Sequence, residues 1–150
     1  MLRGISPLIS PELLATMSRM GHHDEIVFGD AHFPGESCND HCIRADGLRI
    51  GDLLDAVLPL FELDHVIDAP VMMMEPMEVD LADPKIAADF QKVHDEYSEI
   101  VKQHYPETPD IGLVGKYDFY EHAKKAFAVI MTGDVRIYAN LILFKGVTSS

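Results

Sequence analysis

Four short apolar runs constrain this chain most: EIVF at 25–28, VMMM at 71–74, FAVIM at 127–131 and the stretch 137–144. Runs of this length suit buried strands and are too short for buried helices. Between them, apolar residues recur at helical spacing. Leu13, Leu14, Met17 and Met20 share a face between a Ser10-Pro11 start and Gly21. Leu53, Leu54, Val57 and Leu58 run up to Pro59, and Ile86, Phe90, Val93, Tyr97 and Ile100 follow Asp83-Pro84. Ile111–Val114 reads as another strand, and Phe119–Lys125 as a short helix. Strands alternating with helices predict an α/β fold. The length, 150 residues, fits a single domain spanning 1–150. Residues 31–42, rich in Pro, Gly, Ser, Asn and His, read as a long loop, and Asp46-Gly47 as a turn.

Charge narrows the partners. With 12 Lys and Arg against 25 Asp and Glu, the formal net charge is −13. Such a surface repels phosphate backbones and anionic bilayers, so neither nucleic acid nor membrane is expected as a partner. A neutral small molecule meets no such barrier. No 18-residue apolar run occurs, and the Pro-broken start does not read as a targeting signal. Two cysteines, Cys38 and Cys42, are weak grounds for secretion, so a cytoplasmic setting is the expectation.

The densest polar cluster is GHHDEIVFGDAHFP, residues 21–34. His22 and His23 precede the first strand, while Asp30 and His32 follow it. A strand of four or five residues sets its ends about 13–17 Å apart, so in an oligomer one end can complete a pocket on another chain. A histidine can exchange protons around neutral pH, and an aspartate can orient it or hold hydroxyls. A second cluster holds Lys116, Tyr117, Tyr120 and Glu121. In the final run, strand alternation would place Tyr138 and Asn140 on one face, where a phenol and an amide can bind adjacent hydroxyls. Each has a structural alternative: His22 can cap the preceding helix, Asp30 can cap a turn, and Lys116 can be a surface ion-pair partner. Tyr138 and Asn140 can be an aromatic contact and a strand-edge turn. His32, Cys38, His41 and Cys42 are ligand-type residues, but no second ligand cluster, HExxH or paired CxxC accompanies them, so no metal is expected. GxGxxG, Walker and GxSxG patterns are missing as well.

The ordered segments SPLISPELLATMSRMGHHDEIVFGDAHFP, IRADG (43–47), LLDAVLPLFELD (53–64), FYEHAKKAFAVIMTGD (119–134) and YANLILFKG (138–146) resemble the ribose pyranase and fucose mutarotase family over nearly the whole chain. DAHFP is closer to the fucose branch. The resemblance implies a three-layer α/β subunit in a cyclic homo-oligomer of decameric type, with sites near subunit contacts. It implies a cofactor-free aldose mutarotase that interconverts the α and β anomers of a neutral monosaccharide, L-fucose on the fucose branch. Another sugar such as ribose, or sugar binding without turnover, is the alternative. By resemblance the catalytic histidine falls on His22 and substrate contacts on Asp30, Lys116, Tyr138 and Asn140, with Tyr120 in the matching FYE segment. Tyr138 is also the candidate partner of His22 in proton transfer. Three positions depart from the family pattern: His23 and Ala139 stand where members commonly have Gly, and Lys116 where they commonly have Arg. Lysine keeps the charge but not the bidentate fork, and His23 adds a second possible proton carrier.

Overall fold

The computed structural model describes residues 1–149. Its first helix, α1 (Pro11–Arg19), opens where the sequence predicts, with the Ser10 side chain accepting the Leu13 N–H and Pro at the first position. The next elements are β1 (Glu25–Gly29), α2 (Gly35–Cys38), β2 (Cys42–Ala45), α3 (Ile50–Val57) and β3 (Val71–Met74). The second half contains α4 (Glu78–Leu81), α5 (Pro84–His104), β4 (Gly112–Val114), α6 (Lys116–Lys125), β5 (Ala128–Thr132) and β6 (Leu141–Phe144). Asp83 caps α5 by accepting the Lys85 N–H, and Pro84 again leads the helix.

The six strands form one mixed sheet in the order β2-β5-β1-β6-β3-β4. β1 runs parallel to β5 and antiparallel to β6, with Val27 opposite Val129 on one side and Ile142 on the other. Every residue of β1 and β5 is buried, as expected of central strands covered on both faces. Ile26, Phe28, Ala128, Ile130, Leu141 and Leu143 pack with side chains of α1, α3 and α5. Their neighbours Val27, Val129, Met131 and Ile142 point the other way, into a second core with Phe33 and with Phe119 and Ala123 of α6. The period of two thus yields three layers, the architecture that the family resemblance implied. Each fully buried strand side chain of this kind contributes about 1.5–3 kcal/mol through loss of apolar surface.

Four expectations change. The strand over 137–144 begins only at Leu141, because Tyr138 adopts φ +56 and breaks the extended backbone. The helix predicted from Phe119 starts at Lys116. Cys42–Ala45, where the sequence predicts a loop end and no strand, form β2, which pairs in parallel with β5 at the sheet edge; its alternation is too short to stand out in the sequence. The 31–42 loop contains one turn of helix, α2.

Candidate active site

Parallel strands that end at one edge of a sheet create a crevice where ligands bind. Asp30 and Phe33 follow β1, Met74 closes β3, Lys116 follows β4, and Tyr138 and Asn140 precede the antiparallel β6. All of these positions fall at the same sheet edge. They line a cavity of about 300 Å³ together with His32, Asp80, Tyr120 and Ile137. A wider depression of about 600 Å³ between β4 and α6 is lined by Asp118, Glu121, Lys124 and Lys125. It holds none of the predicted residues, so the smaller cavity, where several of them meet, is the better site.

Local structure fixes each side chain of the smaller cavity. Asp30 is buried, and its backbone N–H donates to Asn140 Oδ1 at 2.8 Å while its Oδ1 accepts the His32 N–H at 2.9 Å. Burial pushes the Asp30 carboxyl above its ordinary range, opposed by the His32 N–H. Gly29 lets the chain fold back here, since a Cβ on it would lie 2.9 Å from Cβ of Phe33. The loop carrying Tyr138 and Asn140 is anchored from behind. Tyr97 of α5, fully buried, donates its hydroxyl to the Ala139 carbonyl at 2.8 Å. Arg136 bridges Asp134 and Glu96, and Asp134 accepts the Ile50 N–H at the start of α3.

Tyr138 itself carries strain. A non-glycine residue with positive φ is uncommon and costs of order 1 kcal/mol. Its hydroxyl donates to Asp80 Oδ2 and receives the Met77 N–H at 3.4 Å. Burial and then the Asp80 hydrogen bond raise the phenol above its usual range. Lys116 stands in the first turn of α6, where the helix dipole disfavours a cation by about 0.3–1 kcal/mol. It forms part of the cavity wall.

Five of the six predicted site residues therefore meet in one cavity: Asp30, Lys116, Tyr120, Tyr138 and Asn140. Tyr138 and Asn140 converge because of a left-handed turn, not the strand alternation expected of them. His22 lies elsewhere. It precedes β1, at the opposite sheet edge, and its Nε2 is 3.3 Å from Asp64 Oδ1. His23 Nδ1 is 2.5 Å from Asp64 Oδ2, and the two imidazoles stack with centroids 3.7 Å apart. Asp64 is fully buried while the side chains of His22 and His23 are 37% and 56% exposed, so the histidines face outward from an anchored carboxylate. Burial works against the Asp64 charge, but the Val66 N–H and the two imidazoles outweigh it and hold the carboxyl below its usual range.

His22, His23 and Asp64 are also the group whose donor atoms, all within 4.8 Å of one another, could hold a metal ion. Hydrogen bonding of both rings to the carboxylate accounts for the cluster without one. His41 is committed elsewhere, with Nδ1 3.0 Å from the Phe127 carbonyl, and Cys38 and Cys42 are free thiols. Asp80 and Asp64 are the residues missed in the sequence. Asp80 sits in an acidic stretch that resembles a solvated face, and Asp64 is separated from His22 by 42 positions.

A mixed-sheet α/β domain with a small polar cavity at the strand ends and an outward-facing histidine pair at the far edge defines a small-molecule-binding class. Within that class the chain belongs to the RbsD / FucU transport protein family, whose model matches residues 3–148. It is 45% identical over 148 residues to the L-fucose mutarotase of Haemophilus influenzae strain Rd, covering 99% of this chain and 98% of that one. The structure is similar to that of the fucose mutarotase of Streptococcus pneumoniae in complex with L-fucose, with a TM-score of 0.86, 40% identity and coverage of 99% and 100%. Bacillus subtilis RbsD complexed with D-ribose shares the fold at a TM-score of 0.68 and 21% identity, over 99% of this chain and 100% of that one.

Proposed function

We propose that this chain is an L-fucose mutarotase that interconverts α- and β-L-fucopyranose by opening and reclosing the ring, without a cofactor. One observation carries the reading: the 300 Å³ cavity is lined by polar side chains together with the apolar Phe33, Met74 and Ile137. A 6-deoxy sugar presents the matching pair of groups, hydroxyls to be hydrogen-bonded and a methyl to be covered. The 45% identity to a mutarotase of that sugar points the same way.

Asp30, Lys116 and Asn140 hold ring hydroxyls in this reading, and Tyr120 closes the wall. Ring opening needs a proton delivered to O5 as C1–O5 breaks and a proton removed from the anomeric hydroxyl. His22 supplies the first and Tyr138 receives the second. The aldehyde then rotates about C1–C2 and closes on its other face. Positioned proton transfer of this kind contributes about 10²–10⁴-fold, a useful gain for a reaction that also runs unaided.

His22 cannot serve its own cavity, because the five residues of β1 separate them by about 17 Å. A cyclic homo-oligomer resolves this if each subunit presents its His22 edge to the next subunit's cavity. Exposed Tyr117, Val135 and Ile137 near the cavity mouth are apolar surface that such a contact would cover.

The test is NMR exchange between α- and β-L-fucose at equilibrium, with purified protein, chelator and D-ribose as control. Acceleration of fucose that survives chelation and exceeds that of ribose is expected. No acceleration of either sugar at micromolar protein would reject the reading.

A further inference from the structure

A neutral phenol is a poor base: Tyr138 can accept the anomeric proton only if its own proton leaves at the same time. The side chain that takes this proton is already in place. Tyr138 Oη donates to Oδ2 of Asp80, at the last turn before α5, and both residues line the sugar-sized cavity. The Met77 N–H points at the same oxygen from 3.4 Å, which leaves one lone-pair direction of Oη for an incoming hydroxyl. The other cavity carboxylate, Asp30, is tied to the His32 N–H, and its backbone is held by Asn140. It has no hydrogen bond to Tyr138.

We propose that Asp80 is the terminal proton acceptor for the anomeric hydroxyl, reached through Tyr138. The inference rests on the mutarotase reading and extends it. In the opening step the O1–H bond breaks and its electron pair becomes the second bond of C1=O1. That proton passes to Tyr138 Oη while the phenolic proton passes to Asp80 Oδ2. The C1–O5 pair leaves with O5, which takes its proton from His22 of the adjoining subunit. Reclosure reverses every transfer: Asp80 returns its proton through Tyr138 to O1, and His22 recovers its own from O5. Nothing is consumed, and no oxidant, metal or covalent intermediate takes part.

The strained backbone of Tyr138 has a purpose in this scheme. Its left-handed φ of 56° turns the ring across the cavity to Asp80, a direction that an extended residue at the start of β6 would not give. The acidic stretch around α4, which reads in the sequence as a solvated surface, then provides one of the walls of the active site.

Asp80→Asn separates relay from support. Asparagine keeps the size and an oxygen that can accept from Tyr138, but it cannot store a proton. With fucose exchange followed by NMR and fucose affinity by calorimetry, Asp80→Asn should lower kcat by about 10²-fold or more and leave Kd within about threefold. Asp80→Glu should recover part of the rate. Tyr138→Phe should lose as much as Asp80→Asn, and the double variant no more than either, since the two act as a unit. An Asp80→Asn protein with unaltered kcat, or one whose loss lies entirely in Kd, would overturn the relay while leaving the mutarotase reading intact. Inactivity of the unaltered chain toward fucose would overturn both.

Discussion

The His22 Nε2 atom lies 3.3 Å from Oδ1 of a carboxylate, Asp64, that is fully buried 42 positions further along the chain. This arrangement orients the imidazole, and in the proposed mechanism Nε2–H is donated to Asp64 while Nδ1 is the nitrogen that serves the sugar. Because His23 shares the same carboxylate at 2.5 Å, its added imidazole competes for the orienting group. Asp64→Asn is expected to fold, to lose about 1–3 kcal/mol of stability as one imidazole loses its acceptor, and to lower fucose turnover by about 10²-fold. Chemical denaturation and NMR exchange check both parts. Undiminished turnover would remove Asp64 from the mechanism.

His22→Ala should abolish acceleration and leave folding within about 0.5 kcal/mol, because the side chain is on the surface. Mixing it with a second inactive chain tests the shared site. His22→Ala and Tyr138→Phe proteins, denatured together and refolded at equal concentrations, should regain about one quarter of the wild-type activity, since that fraction of contacts pairs an intact edge with an intact cavity. Each variant refolded alone should stay inactive. If the mixture also stays inactive, the site does not span two subunits.

Much of this site was legible before the fold was known, for identifiable reasons. Asp30 and His32 lie on a loop directly after a buried strand, and such loops converge at one sheet edge. The Ser10-Pro11 and Asp83-Pro84 starts are local chemistry, so α1 and α5 begin where expected. What stayed hidden depends on distant contacts or on single backbone torsions. The turn at Tyr138 is one positive φ in a stretch whose composition favours a strand. The Asp64 pairing joins residues before β1 and before β3, and no periodicity reports on that. Asp80 looked like one acidic residue among many, because only the fold brings Tyr138 to it.

Lys116→Arg restores the residue type commonly found at this position in the family. Guanidinium offers a planar fork of donors where ammonium offers a point charge, so a sugar diol should be held in one orientation more firmly. The expected outcome is a lower KM for fucose, by about threefold, with kcat little changed. Steady-state exchange rates over a range of fucose concentrations measure it. A higher KM would mean that the cavity is shaped for the shorter head group.

Acid should destabilise the protein through Asp64 and Asp134. Both folded-state carboxyls lie below their ordinary value of 3.8, Asp134 because Arg136 and backbone N–H donors outweigh its burial. Their contribution is therefore complete above about pH 4–5 and is lost as pH falls through 3.8 toward the lower folded values. Urea midpoints should be flat near neutrality and decline below about pH 4. Asp64→Asn should make that decline shallower, because one of the two linked protons is gone.

Asp30 has the opposite sign, and it makes stability and function separable. Burial raises its folded carboxyl above 3.8, so its ionised form is disfavoured in the folded state and costs stability at neutral pH. Asn at this position keeps an oxygen for the His32 N–H without the buried charge. Asp30→Asn should therefore raise Tm at pH 7 by about 2 °C, while fucose affinity falls because a charged acceptor of sugar hydroxyls is lost. The gain should shrink as pH drops, vanishing below 3.8 where aspartate is protonated in both states. Thermal scans at pH 7 and pH 3.5, with calorimetric titration of fucose, test the two halves together. A variant that is less stable at pH 7 would show that the Asp30 charge supports the cavity; a rise in Tm with unchanged affinity would take Asp30 out of the sugar contacts.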